Sequence, residues 1–163
     1  MKNVTVLLST YNGEKYLAEQ IDSILAQSYS DFELIISDDC STDATRTILK
    51  DYKAKDTRIK LHFNEANLGF KKNFEQALYL CSGEFIAFAD QDDVWLDNHL
   101  EILINNIGDA DLIGGNAIIT DSCLNPLGYT MQDVTGIKID RAAPDFLFLH
   151  ELYGNIFQGT ACL

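Results

Sequence analysis

Short apolar runs alternate with amphipathic segments along the first 120 residues, and this alternation constrains the fold more than any other feature. Three apolar runs predict strands of the kind that is covered on both faces: 4–9, 32–37 and 85–88. A fourth run, 59–63, predicts a weaker strand. Between and after them, apolar residues recur at spacings of three and four, which predicts helices within 14–28, 44–52, 70–81 and 96–107. The alternation predicts an α/β fold, in which a mostly parallel sheet forms the middle of three layers with helices on both faces.

A fifth strand is expected over 111–120 as part of the same alternation. From residue 129 onward the pattern becomes weaker, and we expect a short helix that begins near Pro144 and a last strand over 155–163. A domain seldom ends in the middle of an apolar strand, so the sequence is expected to be truncated at its C-terminus. The apolar segment 144–157 is expected to cover the missing part, or to pair two copies as a homodimer.

Three polar segments follow strands of the predicted sheet: residues 9–12, 38–39 and 90–93. Because the carboxyl ends of parallel strands meet at one edge of a sheet, we expect these segments to converge. Ligands of open α/β sheets bind outside this edge, near the point where the strand order reverses. A binding site is therefore predicted at the carboxyl edge of the sheet.

The charge of the chain limits which ligands can bind there. It has 12 basic and 25 acidic residues, a formal net charge of -13, and therefore no basic surface for nucleic acid or an anionic membrane. A phosphate group would have to be met locally by backbone amides, a few basic side chains or a metal ion. The four cysteines form no Cys-x-x-Cys pair, and no apolar run reaches the roughly 18 residues of a membrane-spanning helix, which indicates a cytoplasmic protein with reduced thiols.

The segment Asp90-Gln91-Asp92-Asp93 brings three carboxylates together after the fourth strand. Two unit charges about 5 Å apart repel each other by roughly 3 kcal/mol at an effective dielectric constant of about 20, so a partly buried cluster requires a cation. Oxygen ligands in this D-x-D spacing suit Mg²⁺ or Mn²⁺, with water and substrate phosphate completing the coordination. The alternative is a solvated acidic turn in which Asp92 or Asp93 caps the following helix.

The other polar segments also allow two interpretations each. Asp38 and Asp39 could belong with Ser41 and Asp43 to the N-cap region of the next helix, which Ser41 or Thr42 could cap. They could instead accept hydrogen bonds from a ribose hydroxyl or a base N–H. Tyr11 could stack on a base or pack against the protein. Lys72, near the start of a helix, could contact a phosphate or stay solvated.

Four segments occur in a characteristic order: 4–45, which contains "VTVLLSTYNG" and "ISDDCSTDAT", then "NLGFKKNFEQAL", "SGEFIAFADQDDVW" and "IFQGTACL". In this order they resemble the N-terminal part of glycosyltransferase family 2, which binds the sugar donor and has the Rossmann-like GT-A fold. The "DQDDVW" form is most similar to bacterial members that are rhamnosyltransferases or enzymes of cell-surface polysaccharide. The resemblance extends from Val4 to about Leu163.

The resemblance implies a site for a nucleoside-diphosphate sugar of the UDP or dTDP type. Its residues would be Ser9, Thr10, Tyr11, Asn12, Glu14, Asp38, Asp39, Lys72, Asp90 and Gln91. Asp92 and Asp90 match the two acids of the D-x-D motif and would hold Mg²⁺ or Mn²⁺. The single domain 1–163 would then consist of a donor-binding core, 1–121, and the start of an acceptor-side region, 122–163.

The implied reaction is inverting transfer of a sugar to a hydroxyl of a saccharide or lipid-linked acceptor, in the cytoplasm or at the inner face of the cell membrane. In this family the catalytic base is an Asp or Glu that is expected beyond Leu163, so no residue of this sequence is named as the base. Two other classes stay open: a metal-dependent nucleotidyl- or phosphoryl-transferring enzyme with the same D-x-D, and a non-catalytic fragment that binds sugar nucleotides.

Overall fold

The central sheet has four strands: β1 (Val4–Thr10), β2 (Phe32–Asp38), β3 (Ile59–Phe63) and β4 (Phe85–Ala89). Every neighbouring pair is parallel, and the order along the sheet is β3-β2-β1-β4. The predicted parallel sheet is therefore confirmed. The computed structural model describes residues 3–136, so the predicted helix near Pro144, the predicted last strand and the apolar segment 144–157 lie outside the described residues.

Helices lie on both faces of the sheet, as predicted. They are α1 (Leu17–Leu25), α2 (Thr45–Lys55), α3 (Phe70–Leu78) and α4 (His99–Asn106). Leu8 and Ile36 belong to the large core that the sheet forms with α1, α2 and α4, whereas Leu7 and Ile35 pack in a smaller cluster with α3. This division follows from the strand geometry, because successive side chains point to opposite faces.

The start of α2 differs from the prediction, since neither Ser41 nor Thr42 caps it. The N-cap position falls at Ala44, whose amide donates to Oε2 of Glu14 at 2.9 Å. Ser41 Oγ instead accepts a hydrogen bond from a backbone amide in the loop after β1, at 2.9 Å. Oδ1 of Asp43 accepts the amide of Thr45 at 3.0 Å, so the first turn of α2 is held by one member of the predicted N-cap region and by Glu14 from another loop.

The segment before α4 also differs from one of the alternatives. The helix begins at His99 with Asn98 as its N-cap, so the predicted cap by Asp92 or Asp93 is wrong, although Asp92 does lie exposed in a turn. Leu96 lies before the helix and is 66% exposed. Phe70, on α3, is 64% exposed. Each residue was predicted to belong to the buried face of its helix, and each faces solvent instead.

The predicted fifth strand over 111–120 is wrong in length and in pairing. Only β5 (Ile118–Thr120) is extended, and it pairs antiparallel with β6 (Pro126–Thr130) in a separate two-stranded sheet, followed by α5 (Met131–Thr135). Gly114-Gly115 precedes β5, and glycine weakens a strand because it has no side chain to pack. The parallel part of the described fold therefore ends with β4.

Two further findings concern the cysteines and the helices of the described chain. Cys40, Cys81 and Cys123 carry free thiols. Within residues 3–136, no helix combines the length and the apolar composition needed to cross a bilayer.

Candidate functional site

A cavity of about 440 Å³ lies at the carboxyl edge of the sheet, where the polar segments were expected to converge. The predicted residues that line it are Ser9, Thr10, Tyr11, Asp39, Asp90, Gln91 and Asp92. Asn67, Gly69, Phe70 and Asn73 line it as well and were not predicted. The convergence follows from the strand order, because β1 lies between β2 and β4 and all three end at this edge.

Asp39 forms one wall of the cavity and is only 3% exposed. Its carboxylate accepts hydrogen bonds from the amides of Leu68 and Gly69, both at 2.8 Å, and from Nδ2 of Asn64 at 2.9 Å. A carboxylate has about four acceptor positions, so these three bonds leave room for one more donor. Gly69 is the N-cap of α3, so Asp39 also fixes the start of that helix beside the cavity.

Asn73 is fully buried beneath the cavity and connects three segments. Its Nδ2 donates to Oγ of Ser9 at 2.7 Å and to the carbonyl of Ser37 at 3.0 Å. Its Oδ1 accepts from Oγ of Ser37 at 2.6 Å and from Nδ2 of Asn64 at 2.9 Å. The sequence signal for this residue was a polar side chain on the inward side of an amphipathic helix, between Phe70 and Ala77.

Asp38 differs from its neighbour Asp39, because it is fully buried and does not line the cavity. It pairs with Nε of Arg46 at 2.5 Å and accepts the amide of Ser41 at 3.2 Å. The hydrogen bond that Arg46 donates to the carboxylate of Asp38 raises the pKa of Arg46. The observed contacts of Asp38 thus hold α2 and the loop after β2 together.

Asn12 and Glu14 also lie outside the lining of the cavity. Asn12 has a φ of 48°, a left-handed conformation that asparagine tolerates better than most residues, and its Oδ1 accepts the amide of Thr42 at 2.9 Å. Glu14 holds the amide of Ala44, as described above. Both side chains therefore join the loop after β1 to the loop after β2.

Lys72, the predicted contact for a phosphate, is exposed on α3 and is not among the residues that line the cavity. None of the described lining residues is basic. Any phosphate group in the cavity would consequently face backbone amides, neutral polar groups and carboxylates. This arrangement leaves a cation as the best source of positive charge.

The acidic end of β4 has the electrostatic character of a cation site. Burial raises the pKa of Asp90 to about 6, with further contributions from the charges of Asp93 and Asp92. Asp90 and Asp92 both line the cavity, so a divalent ion beside them would offset this repulsion. Within residues 3–136 no cluster of three protein ligands is preformed. The residues therefore fit Mg²⁺ or Mn²⁺ if water and substrate oxygens complete the coordination.

Comparison with protein families identifies the group to which this arrangement belongs. The model of the family described as "Glycosyl transferase family 2" matches residues 5–159. The chain belongs to glycosyltransferase family 2. The matched range includes every residue that was predicted for the donor site.

Two curated relatives illustrate the similarity. The chain is 39% identical over 125 residues to the UDP-Glc:alpha-D-GlcNAc-diphosphoundecaprenol beta-1,3-glucosyltransferase WfgD of Escherichia coli, covering 71% of this chain and 49% of that protein. It is 41% identical over 159 residues to the putative teichuronic acid biosynthesis glycosyltransferase TuaG of Bacillus subtilis, covering 96% of this chain and 59% of that protein. The chain thus spans about half the length of these two relatives.

Solved structures confirm the predicted GT-A type of fold. Residues 1–349 of TarS from S. aureus, in complex with UDP, superpose with a TM-score of 0.61 and 33% identity, over 74% of this chain and 35% of that one. A mannosyltransferase from Pyrobaculum calidifontis, in complex with GDP-Man and Mn²⁺, gives a TM-score of 0.63 at 23% identity, over 72% and 35% of the two chains. The second likeness shows the fold alone.

Proposed function

We propose that this chain is the donor-binding part of an inverting glycosyltransferase that acts in the synthesis of bacterial cell-surface polysaccharide. The donor would be a nucleoside-diphosphate sugar of the UDP or dTDP type, and the acceptor a hydroxyl of a saccharide or lipid-linked saccharide. One observation carries the proposal: Tyr11, Asp39, Asp90 and Asp92 all line a single cavity at the carboxyl edge of the sheet. The names of WfgD and TuaG and the UDP complex of TarS support it.

The nucleobase would bind between Asp39 and Tyr11. Asp39 has one acceptor position left after its three hydrogen bonds, which suits a base N–H. Tyr11 is 45% exposed at the same cavity, so its ring is available for stacking. Ser9 and Thr10 would complete this part of the site from the end of β1.

The diphosphate would bind at the end of β4. Asp92 is exposed and Asp90 half-buried, and we propose that both hold Mg²⁺ or Mn²⁺ against the phosphate oxygens. The bound ion would stabilise the negative charge that develops on the departing nucleoside diphosphate. The absence of basic residues among the described lining residues supports this role for the ion.

The acceptor would bind beside the later part of the chain. We propose residues 1–121 as the donor-binding core and 122–163 as the beginning of the acceptor side, with the catalytic base beyond Leu163 and a location at the inner face of the cell membrane. Pairing of two copies through 144–157 belongs to the same set of hypotheses. A rhamnosyl donor is a narrower hypothesis, which a preference for dTDP over UDP would support.

Isothermal titration calorimetry with UDP and with dTDP, each with and without Mn²⁺, tests the proposed function. We expect at least one nucleotide to bind, and to bind more tightly with the metal. Asp92→Ala should abolish the increase that Mn²⁺ causes, whereas Asp51→Ala, which removes an exposed carboxylate on α2, should leave it unchanged. No binding of either nucleotide in any condition would refute the donor site.

A further inference from the structure

The side chain of Gln91, between the two acids of the D-x-D motif, joins the end of β4 to the end of β1. Its Oε1 accepts hydrogen bonds from Oγ1 of Thr10 at 2.7 Å and from the amide of Tyr11 at 2.9 Å. Its Nε2 donates to the carbonyl of Tyr11 at 3.3 Å. A backbone N–H can only donate, so the atom of the Gln91 side-chain amide that faces the N–H of Tyr11 must be the oxygen. Gln91 therefore holds both polar groups of the Tyr11 backbone.

The bridge formed by Gln91 depends on a glycine in the loop after β1. A Cβ atom at Gly13 would lie 2.5 Å from Oε1 of Gln91 and 2.9 Å from Oγ1 of Thr10. Both distances are shorter than van der Waals contact allows, so any side chain at position 13 must displace the amide of Gln91. Gly13 and Gln91, far apart in the sequence, thus form one structural unit.

We infer that Gln91 is a positioning residue, which fixes the distance between the nucleobase part and the diphosphate part of the site. This inference rests on the proposed function. On one side of the bridge is Tyr11 at the nucleobase part, and on the other side are Asp90 and Asp92 at the diphosphate part. A ligand that spans both parts binds more tightly when their separation is preset, because less conformational entropy is lost on binding. A ligand that occupies one part alone gains little.

Two variants remove the bridge in different ways. Gln91→Leu eliminates its hydrogen bonds, and Gly13→Ala displaces the amide while Gln91 remains present. Gln76→Leu, at an exposed position on α3, is the matched control. We expect both bridge variants to bind UDP with Mn²⁺ about tenfold more weakly in calorimetry, while their affinity for uridine in an NMR titration changes by less than about twofold. A variant that merely unfolded would lose uridine binding as well.

Amide hydrogen exchange at Tyr11 measures the bridge without any ligand. We expect faster exchange in both bridge variants, because the amide of Tyr11 loses its acceptor on Gln91. The rate should be unchanged in Gln76→Leu. If the wild type binds UDP, any of three results in the bridge variants would overturn the positioning role. These are an unchanged exchange rate, an unchanged UDP affinity, and an equal loss of UDP and uridine binding. Failure of the wild type itself to bind UDP or dTDP would refute the proposed function, and this inference with it.

Discussion

The carboxylate of Asp90 is expected to destabilise the metal-free protein at neutral pH, and Asp90→Asn tests this expectation. Burial, and then the charges of Asp93 and Asp92, raise the pKa of Asp90 to about 6, compared with about 3.9 in an unfolded chain. Between these values the folded state binds more protons than the unfolded state. Stability therefore falls as the pH rises from about 4 to about 6, and the loss persists above that range.

The magnitude follows from the difference between the two pKa values. About two pKa units correspond to about 3 kcal/mol, and the partial exposure of Asp90 reduces this value through solvent screening. We therefore expect Asp90→Asn to raise the free energy of unfolding by about 1 to 3 kcal/mol at pH 7.5 and to have little effect at pH 4. The neutral amide has no charge that burial and the neighbouring carboxylates could penalise.

Urea denaturation at both pH values, in the presence of a chelator, measures this difference. Asp51→Asn on the exposed side of α2 is the control and should show no such dependence on pH. Addition of Mn²⁺ should stabilise the wild type more than Asp90→Asn, because the ion binds the folded carboxylates. A variant that is destabilised equally at pH 7.5 and pH 4 would refute the reasoning, since the cause would then be lost packing and not charge.

Two predictions concern the scaffold that supports the site. Partial burial alone would raise the pKa of Glu33, but hydrogen bonds from Lys60, Thr5 and Ser82 outweigh it and lower the pKa to about 2. Glu33→Gln should therefore cost about 2 kcal/mol in urea denaturation at pH 7, and this cost should disappear as the pH falls from about 4.5 towards 2. Asn73→Ala should cost about 3 kcal/mol in the same assay, because it breaks the buried hydrogen bonds beneath the cavity, and exposed Asn106→Ala should cost much less.

The regular part of the fold was predictable because its information is local. The strands β1, β2, β3 and β4 and the helices between them follow from apolar runs and from spacings of three and four residues. The segment 111–120 misled the same reasoning, since an apolar run does not specify its partner. Its short strand β5 pairs with β6 in a separate sheet, which depends on contacts outside the run itself.

The candidate site was predictable as a region, and less so as a set of side chains. The D-x-D segment and the ends of β1 and β2 were expected to meet, and Asp39, Asp90 and Asp92 line the resulting cavity. Lys72 lies outside the lining of the cavity and its neighbour Asn73 belongs to it, because the orientation of α3 decides which helix residues turn inward. No spacing rule links these positions to the strand ends.

The sequence by itself determined the order of strands and helices, the edge at which their polar ends meet and the family to which the chain belongs. These features depend on the local periodicity of apolar residues and on short motifs. The tertiary structure alone decided that Asp39 faces the cavity while Asp38 pairs with Arg46, and that Gln91 bridges two strand ends. Hydrogen bonds and ion pairs at the strand ends join segments that are distant in the sequence, so the roles of these residues are set by contacts that local periodicity does not specify.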